Sequence, residues 1–291
     1  MRGRVLVVHD DILSEQEFKE QNKLFVDAAK KLNITLDFVS NVQLYTYIDN
    51  NSVKCHETFG TYNYAIFFDK DFHLAKNLEM LGVKVVNNSR AIDICENKAY
   101  LYQTLAEHKI NIPKTVIFPS MTKFNRQKAI LFLNNAIDDL GLPVVVKEWY
   151  GDYGENVYLC RTREQLYDCV EKLQGDELLL QEFVVESSGT DIRFFVIKNK
   201  VVAAYRRHNT SGDFRSNLFH GGSMDKYIPT YVDEQIAIGA TKAVGCDFAI
   251  VDILKSINGP VVCEVNTSAS VNHFYEACGV NIPLLLFKSI K

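Results

Sequence analysis

Near its carboxyl end the chain reads Phe-Ala-Ile-Val-Asp-Ile-Leu at residues 248–254 and Pro-Val-Val-Cys-Glu-Val-Asn at residues 260–266. Both stretches are short and apolar, a pattern typical of buried or half-buried strands. Each nevertheless contains a carboxylate, Asp252 in the first and Glu264 in the second. A buried carboxylate is costly unless it is paired, hydrogen-bonded or bound to a metal. These polar positions therefore identify the part of the chain on which the function depends.

Asp252, Glu264 and Asn266 form a candidate metal site, because carboxylate and amide oxygens are hard ligands that suit Mg²⁺. Glu264 and Asn266 are two residues apart and share one face of a strand. A strict two-residue turn at 258–259 pairs Asp252 with Val265 and turns it to the other face. The metal hypothesis therefore requires a different turn length or a bulge. The alternative is that Asp252 caps a loop and Glu264 pairs with an arginine.

Composition excludes several classes of protein. The 291 residues, 47% hydrophobic and 23% charged, predict a globular chain of two or three sub-domains. The net charge of -4 argues against a general nucleic-acid binder. Seven scattered cysteines without a Cys-x-x-Cys pair favour reduced thiols. The chain has no apolar run long enough for a membrane span or signal peptide, so we expect a soluble, cytoplasmic protein with no membrane partner.

The first third alternates strands with helices, which predicts a small parallel sheet. The expected strands are 5–8, 34–39, 64–68 and 83–86. A capping box at 14–17 opens a helix that runs to about Leu32, and a second helix covers about 73–81. One further helix is expected from about Ala91 to His108. Segment 42–61 has no clear period and is left unassigned.

The remaining two thirds are richer in strands. The expected strands are 115–118, 144–148, 157–160, 178–184, 191–197, 201–207, 248–254 and 260–266. Helices are expected at about 122–140, 162–174 and 233–244 and after Pro283. The loop 149–156 joins two adjacent strands, which predicts a hairpin whose loop acts as a flap. The fold class is therefore α/β (α+β).

Lys147 ends an apolar strand beside that flap, where Gly151 and Gly154 let backbone N–H groups approach a phosphate. The alternative is an ordinary turn and a solvated lysine. The chain contains no P-loop.

Several other segments allow two interpretations. The backbone at Glu182-Phe183 suits an adenine edge but also an ordinary strand end. Asp191 and Arg193 share a strand face, either at a site or in a surface ion pair. Arginines near the carboxylates suit a transferring phosphoryl group or simply neutralise the cluster. The histidines at 208, 220 and 273 match no usual zinc spacing.

Taken together, these pieces resemble the ATP-grasp ligases, and most closely the RimK-type amino-acid ligases. The resemblance covers residues 90–285 well and the first 90 only as a generic pre-ATP-grasp domain. It rests on motifs in the family's order: Lys98, Val-Val-Val-Lys147, the flap, Gln181-Glu182-Phe183, Gly189 to Arg193, Arg215 to Leu218, Val251-Asp252 and Glu264-Val265-Asn266. It implies an ATP-grasp fold with an N-terminal parallel-sheet domain at 1–90, an N-terminal lobe at 91–180 and a C-terminal lobe at 181–291.

The resemblance implies a role for each motif. Lys98, Lys147, Gly151 and Gly154 contact ATP phosphates. Glu182 and Phe183 hold the adenine, and Asp191 meets the ribose side. The triphosphate end is lined by Arg215, Ser216 and Asn217. Asp252, Glu264 and Asn266 hold Mg²⁺ or Mn²⁺, and Arg193 and Arg207 steady the acyl-phosphate.

The implied activity is an ATP-dependent carboxylate–amine ligation through an acyl-phosphate. The implied partners are an amino acid, with glutamate expected, and a peptide, a carrier-protein tail or a metabolite as acceptor. Two alternatives stay open: a nucleotide-binding regulator without catalysis, and a small-molecule ligase of the D-alanine or glutathione type. Thr267 to Ser270 depart from the Ser-Pro-Gly of many relatives and leave the acceptor unidentified. The roles of His220 and His273 and the assembly into a homo-oligomer are also left open.

Overall fold

The computed structural model describes residues 4–9, 15–55, 62, 64–121, 124–151, 154, 156–216, 222–268 and 270–290. The capping-box residue Ser14 therefore lies outside the described residues, and helix α1 begins at Glu15. The seven cysteines all lie within the described residues, and no disulfide joins any two of them.

The N-terminal region contains the parallel sheet that the sequence predicts. In spatial order its strands are β2 (Thr35–Ser40), β1 (Arg4–His9), β5 (Tyr64–Phe68) and β6 (Lys84–Val86). The helices of this region are α1 (Glu15–Leu32) and α2 (Phe72–Met80). The unassigned segment contains a hairpin of β3 (Thr46–Asp49) and β4 (Ser52–Cys55).

The single helix expected over 91–108 is wrong, because Asn97 divides it into α3 (Ser89–Glu96) and α4 (Lys98–Glu107). Asn97 leaves the helical conformation at φ −96° and ψ 103°, and its side chain accepts a hydrogen bond from the N–H of Tyr100. An asparagine favours this capping position because its carbonyl satisfies a free N–H of the next helix. The break makes Lys98 the first residue of α4.

The middle region is an antiparallel sheet covered by two helices. Its strands in spatial order are β7 (Thr115–Ile117), β10 (Leu178–Glu182), β8 (Val144–Glu148) and β9 (Val157–Cys160). The helices are α5 (Arg126–Leu140) and α6 (Arg163–Lys172). Helix α5 begins later than expected because Asn125 caps it, and Thr122 lies outside the described residues. The predicted hairpin of β8 and β9 is confirmed.

The last region is a five-stranded antiparallel sheet. Its strands in spatial order are β13 (Gly222–Lys226), β12 (Lys200–Asn209), β11 (Thr190–Ile197), β14 (Phe248–Ser256) and β15 (Gly259–Asn266). Its helices are α7 (Tyr231–Ala243), α8 (Val271–Cys278) and α9 (Ile282–Ser289). Helix α8 and strand β13 were not expected.

The register of β14 and β15 meets the condition that the metal hypothesis requires. The turn joins Ser256 to Gly259, one residue earlier than the Asn258-Gly259 turn considered above, and a bulge follows between Asp252 and Ile253. Asp252 consequently pairs with Glu264 rather than with Val265.

The hydrophobic cores show which parts pack together. Phe68 of the parallel sheet stacks on Phe248 of the five-stranded sheet, with ring centroids 5.2 Å apart. The buried Asn87 amide accepts from the N–H of Asp247 and donates to the carbonyl of Phe248. The middle region instead has a core of its own. The domain boundaries at 90 and 180 stay a prediction. No helix among the described residues is long and apolar enough to cross a membrane.

Candidate active site

One cavity of about 280 Å³ is lined by both antiparallel sheets, by α4 and by the N-terminal region. That volume is close to the lower end of the range for small-molecule sites. Every predicted site residue that the structure describes lines this cavity. Asn217 and His220 lie outside the described residues.

Two arginines neutralise the carboxylates in the floor of the cavity. Arg193 donates from Nε and Nη2 to the two oxygens of Asp252, at 2.7 and 2.5 Å. Arg207 donates to both oxygens of Asp191 and also reaches Oδ2 of Asp252 at 3.1 Å. Both pairs are cross-strand neighbours. Of the arginines that the sequence interpretation considered as neutralising the cluster, Arg207 makes such contacts. Asp252 lies within β14 rather than capping a loop.

The two arginines and Asp191 of this buried cluster stay charged. Burial alone lowers the pKa of Arg193, but the carboxylate of Asp252 outweighs it and raises that pKa well above its ordinary value. Burial alone raises the pKa of Asp191, but the guanidinium of Arg207 lowers it below its ordinary value. Burial raises the pKa of Asp252 above its ordinary value, although the guanidinium groups of Arg193 and Arg207 oppose this shift. The floor of the cavity therefore contains two guanidinium groups, the carboxylate of Asp191 and the carboxyl group of Asp252, which both arginines bind.

Glu264 lies between this array and the helix that begins with Lys98. Its Oε1 is 3.7 Å from Nζ of Lys98, and its side chain is 31% exposed. Burial works against the charged carboxylate, yet Lys98, Lys70 and Arg193 together lower the pKa of Glu264 to about 2. Glu264 is consequently a carboxylate at any ordinary pH, which is the form that binds a metal.

The donor set at this end of the cavity fits a hard divalent cation. Asp252 has about four lone-pair positions and the arginines use three, so one position on Oδ1 can still accept a ligand. Nδ2 of Asn266 is buried without a partner among the described residues. A half-turn of that amide places its oxygen there instead. In the described part of the chain no three His, Cys, Asp or Glu residues cluster around a metal position, so the set depends on the asparagine.

Lys147 carries a buried charge that has no carboxylate partner among the described residues. The residue is 7% exposed, and no carboxylate of the described residues lies within 4.0 Å of its Nζ. Its polar neighbours are the hydroxyl of Tyr102 at 3.4 Å and the thiol of Cys263 at 3.7 Å. Burial alone lowers the pKa of Lys147, but Cys263, Tyr102 and Glu264 outweigh it and the pKa is raised. A buried ammonium with neutral contacts is a site for an anionic ligand.

Two of the predicted phosphate ligands bind flap residues that line the cavity, Gly151 and Gly154. Nζ of Lys98 donates to the carbonyl of Gly151 at 2.6 Å, and Nη1 of Arg215 donates to the carbonyl of Gly154 at 2.7 Å. Gly151 and Gly154 have φ of 144° and 75°, a region that favours glycine. Arg215 is also paired with Asp213 at 2.7 Å.

The end of the cavity near β10 is suited to a flat ring. Phe183 and Phe214 lie in edge contact with ring centroids 6.2 Å apart, and both line the cavity. Oε1 of Glu182 accepts from the N–H of Lys114 at 2.9 Å, which holds this side chain against the backbone of Lys114. Ser216 lies beside Asp191 and helps to lower its pKa, after the larger effects of burial and Arg207.

Several cavity residues were missed by sequence reasoning. Tyr102, whose hydroxyl contacts the cavity residue Lys147, could have been found, because it lies one helical turn after Lys98 on the same face. Phe214 directly precedes a predicted site residue. Gln21, Lys70 and His273 reach the cavity from elements distant in sequence, and no local signal indicates this. The structure does not support a zinc site at His208, because Nε2 of this residue contacts Oδ1 of Asp225 at 2.9 Å.

Comparison with known proteins identifies one family. The family model described as the RimK-like ATP-grasp domain matches residues 95–290. A protein of Vibrio atlanticus named probable alpha-L-glutamate ligase is 30% identical to this chain. The alignment is 297 residues long with its gaps and covers 100% of this chain and 95% of that protein.

Two solved structures share the fold. The RimK domain protein ATP-grasp from Sphaerobacter thermophilus superposes with a TM-score of 0.71 at 18% identity, over 98% of this chain and 99% of that one. The D-alanine–D-alanine ligase from Bacillus anthracis complexed with ATP gives a TM-score of 0.70 at 18% identity, over 99% and 96%. At these identities the likeness concerns the fold alone.

Proposed function

We infer the function from one premise: this chain belongs to the RimK-like ATP-grasp family. It is an ATP-dependent ligase that joins a carboxylate to an amine through an acyl-phosphate. The described lining of the cavity supplies each kind of group that such a reaction uses: cations for phosphates, hard oxygen donors for a metal, and rings for a base.

The observation that carries this proposal is the buried ammonium of Lys147. Its charge has no carboxylate partner within 4.0 Å among the described residues, and its pKa is raised despite burial. Transfer of an unpaired charge from water to a protein interior is strongly unfavourable. An anionic ligand compensates that cost, and a nucleotide phosphate has the required charge. Phe183 and Phe214 support a base at the other end of the same cavity.

The metal is proposed to be Mg²⁺, or Mn²⁺, held by Asp252, Glu264 and Asn266. A divalent ion at this position neutralises charge on the phosphates and orients them. The remaining lone pair of Asp252 and the unpartnered amide of Asn266 support this assignment.

The reaction that we propose has two steps. A substrate carboxylate attacks the γ-phosphorus of ATP and ADP leaves. An amine then attacks the acyl-phosphate, loses a proton and releases phosphate as the amide forms. Arg193 and Arg207 are proposed to stabilise the charge on the transferring group. The flap, held by Lys98 and Arg215, excludes water from the intermediate.

The substrates are proposed in less detail. The name of the Vibrio relative supports glutamate as the amino acid, and a peptide, a carrier-protein tail or a metabolite remains the proposed acceptor. The cytoplasm is the proposed location, which the lack of disulfides among the described cysteines supports.

The test is release of ADP and formation of an amide by the purified chain with ATP, Mg²⁺ and a panel of amino acids and glutamate-ended peptides. A mass increase of the acceptor that requires both ATP and an amino acid supports the proposal. Lys147→Met removes the buried cation and should abolish turnover, whereas Lys128→Met changes an exposed lysine of α5 and should not. Nucleotide binding without turnover on any acceptor would instead favour the regulator.

A further inference from the structure

A buried tyrosine joins the phosphate end of the cavity to the strand that carries the metal ligands. Tyr102 of α4 is 2% exposed. Its hydroxyl donates to the backbone carbonyl of Cys263 at 2.6 Å and accepts from Nζ of Lys147 at 3.4 Å. A hydroxyl has one proton, so the short contact to Cys263 fixes the direction of both bonds. Oε1 of Gln181 lies 3.4 Å from the same hydroxyl, which is farther than the carbonyl of Cys263.

The residue at the other end of this chain of bonds is the extra residue of the bulge. Ile253 pairs with Val262 and Asp252 with Glu264, which leaves Cys263 unpaired between them. Val262 and Val265 are both fully buried in one core although they are three residues apart. A regular strand places residues three apart on opposite faces. The bulge therefore lets both valines face the core while Glu264 and Asn266 face the cavity.

Tyr102 and Lys147 are bound to each other in more than one way. The ammonium lies 5.8 Å from the centroid of the Tyr102 ring, within the range of a cation–π contact. Burial raises the pKa of Tyr102 to about 12, so its hydroxyl keeps the proton that it donates to Cys263. No carboxylate of the described residues lies within 4.0 Å of Nζ of Lys147, and the ammonium donates to the Tyr102 hydroxyl instead.

We propose that Tyr102 is a positioning residue, which holds the Lys147 ammonium and the Cys263 bulge in one arrangement and so presents the phosphate cation and the metal ligands to the same nucleotide. The inference rests on the proposed nucleotide site. It assigns to Tyr102 no contact with the reacting atoms. Loss of this one buried oxygen should instead weaken both the binding of the nucleotide and the binding of the metal.

The test is Tyr102→Phe, which removes the hydroxyl and keeps the ring, measured by calorimetric binding of ADP with Mg²⁺. We expect ADP to bind roughly tenfold more weakly, as for one lost hydrogen bond to a charged group. The Mg²⁺ concentration that gives half-maximal ADP binding should also rise. Tyr100→Phe is the matched control, because Tyr100 lies on the same helix and is 38% exposed. Its variant should bind ADP like the unmodified chain.

A double-mutant cycle separates positioning from simple packing. The cycle is measured without Mg²⁺, so that only the effect through Lys147 remains, and Tyr102→Phe should then weaken ADP binding little further in a Lys147→Met background. Additive losses in the cycle would overturn the proposal. So would a Tyr102→Phe protein that melts at a lower temperature but binds ADP and Mg²⁺ normally below its transition, because that outcome describes a structural residue.

ADP binding by the unmodified chain distinguishes an error in the role of Tyr102 from an error in the proposed function. If the unmodified chain binds no ADP, the nucleotide site itself is wrong. If it binds ADP and Tyr102→Phe binds equally well, only the role of Tyr102 is wrong. Should Tyr102→Phe not fold, Tyr102→Met also lacks the hydroxyl, fills the space with a flexible side chain and carries the same expectations.

Discussion

Asp252 and Glu264 lie directly opposite each other on neighbouring strands. Without the bulge, the turn at residues 257–258 would place Cys263 opposite Asp252. The two carboxylates face one cavity without strong mutual repulsion, because Arg193 binds Asp252 and Lys98 lies near Glu264. One extra residue in a strand thus brings together two acidic groups that a regular hairpin would offset.

Glu264→Gln should change how stability depends on pH. The pKa of Glu264 is about 2 in the folded chain, below its ordinary value of about 4.3. Its carboxylate therefore stabilises the fold above about pH 4.5, and this contribution is lost as the pH falls toward 2. Since the side chain is 31% exposed, we expect only about 1–2 kcal/mol between the two proteins at pH 7. Urea unfolding from pH 7 to pH 2.5 measures it.

The control for this prediction is Glu107→Gln, which changes an exposed glutamate of α4. Its unfolding free energy should follow that of the unmodified chain at every pH. A constant gap between Glu264→Gln and the unmodified chain across the acid range would contradict the assigned pKa.

Arg207→Met should destabilise the chain most at neutral pH. Arg207 is 8% exposed and binds both oxygens of Asp191, so its loss leaves a buried carboxylate without its main partner. The expected cost is about 3 kcal/mol at pH 7. Without Arg207, burial raises the pKa of Asp191, so the carboxyl becomes neutral as the pH falls and the gap should close. Denaturant midpoints at pH 7 and pH 4 check this, and a gap that widens in acid would be inconsistent with it.

Gly154→Ala should impair closure of the flap. Gly154 has φ of 75°, and a Cβ there would lie 3.3 Å from Cδ of Arg215. Alanine in this conformation costs about 1 kcal/mol, so we expect KM for ATP to rise severalfold and more ADP to be released per amide formed. Gly82→Ala is the control, since Gly82 has φ of 85° but nothing within 4 Å of the added carbon. It should lower stability and leave KM unchanged. Equal kinetic effects of the two variants would argue against the flap.

Arg193→Lys should reduce kcat more than it reduces affinity for ADP. Lysine keeps the charge but cannot form the two-pronged contact that Arg193 makes with Asp252. If Arg193 stabilises the transferring group, kcat should fall by about two orders of magnitude. Arg206→Lys serves for comparison, because Arg206 lies over the ring of Tyr227, with 5.3 Å between its guanidinium carbon and the ring centroid. If kcat is unchanged in Arg193→Lys, then Arg193 does not stabilise the transferring group.

Much of the fold followed from local sequence. The buried strands, the β8–β9 hairpin and the parallel sheet were predicted from apolar periodicity, which acts over a few residues. The helix expected over 91–108 failed because Asn97 hydrogen-bonds its own backbone, and such a cap competes with an unbroken apolar pattern. The hairpin at 46–55 was missed because its polar strands pair mainly with each other and carry little hydrophobic signal.

The sequence by itself determined which residues are available for chemistry: Lys147, Asp252, Glu264 and their companions are polar side chains in apolar strands, and burial makes such residues costly without a partner. Only the tertiary structure decided how they meet. The pairing of Arg193 with Asp252 and the bonds of Tyr102 join residues 45 to 161 positions apart, and the bulge at Cys263 places Asp252 opposite Glu264. Local patterns of hydrophobicity cannot specify such contacts, because register and packing are fixed only when the sheets close on one another.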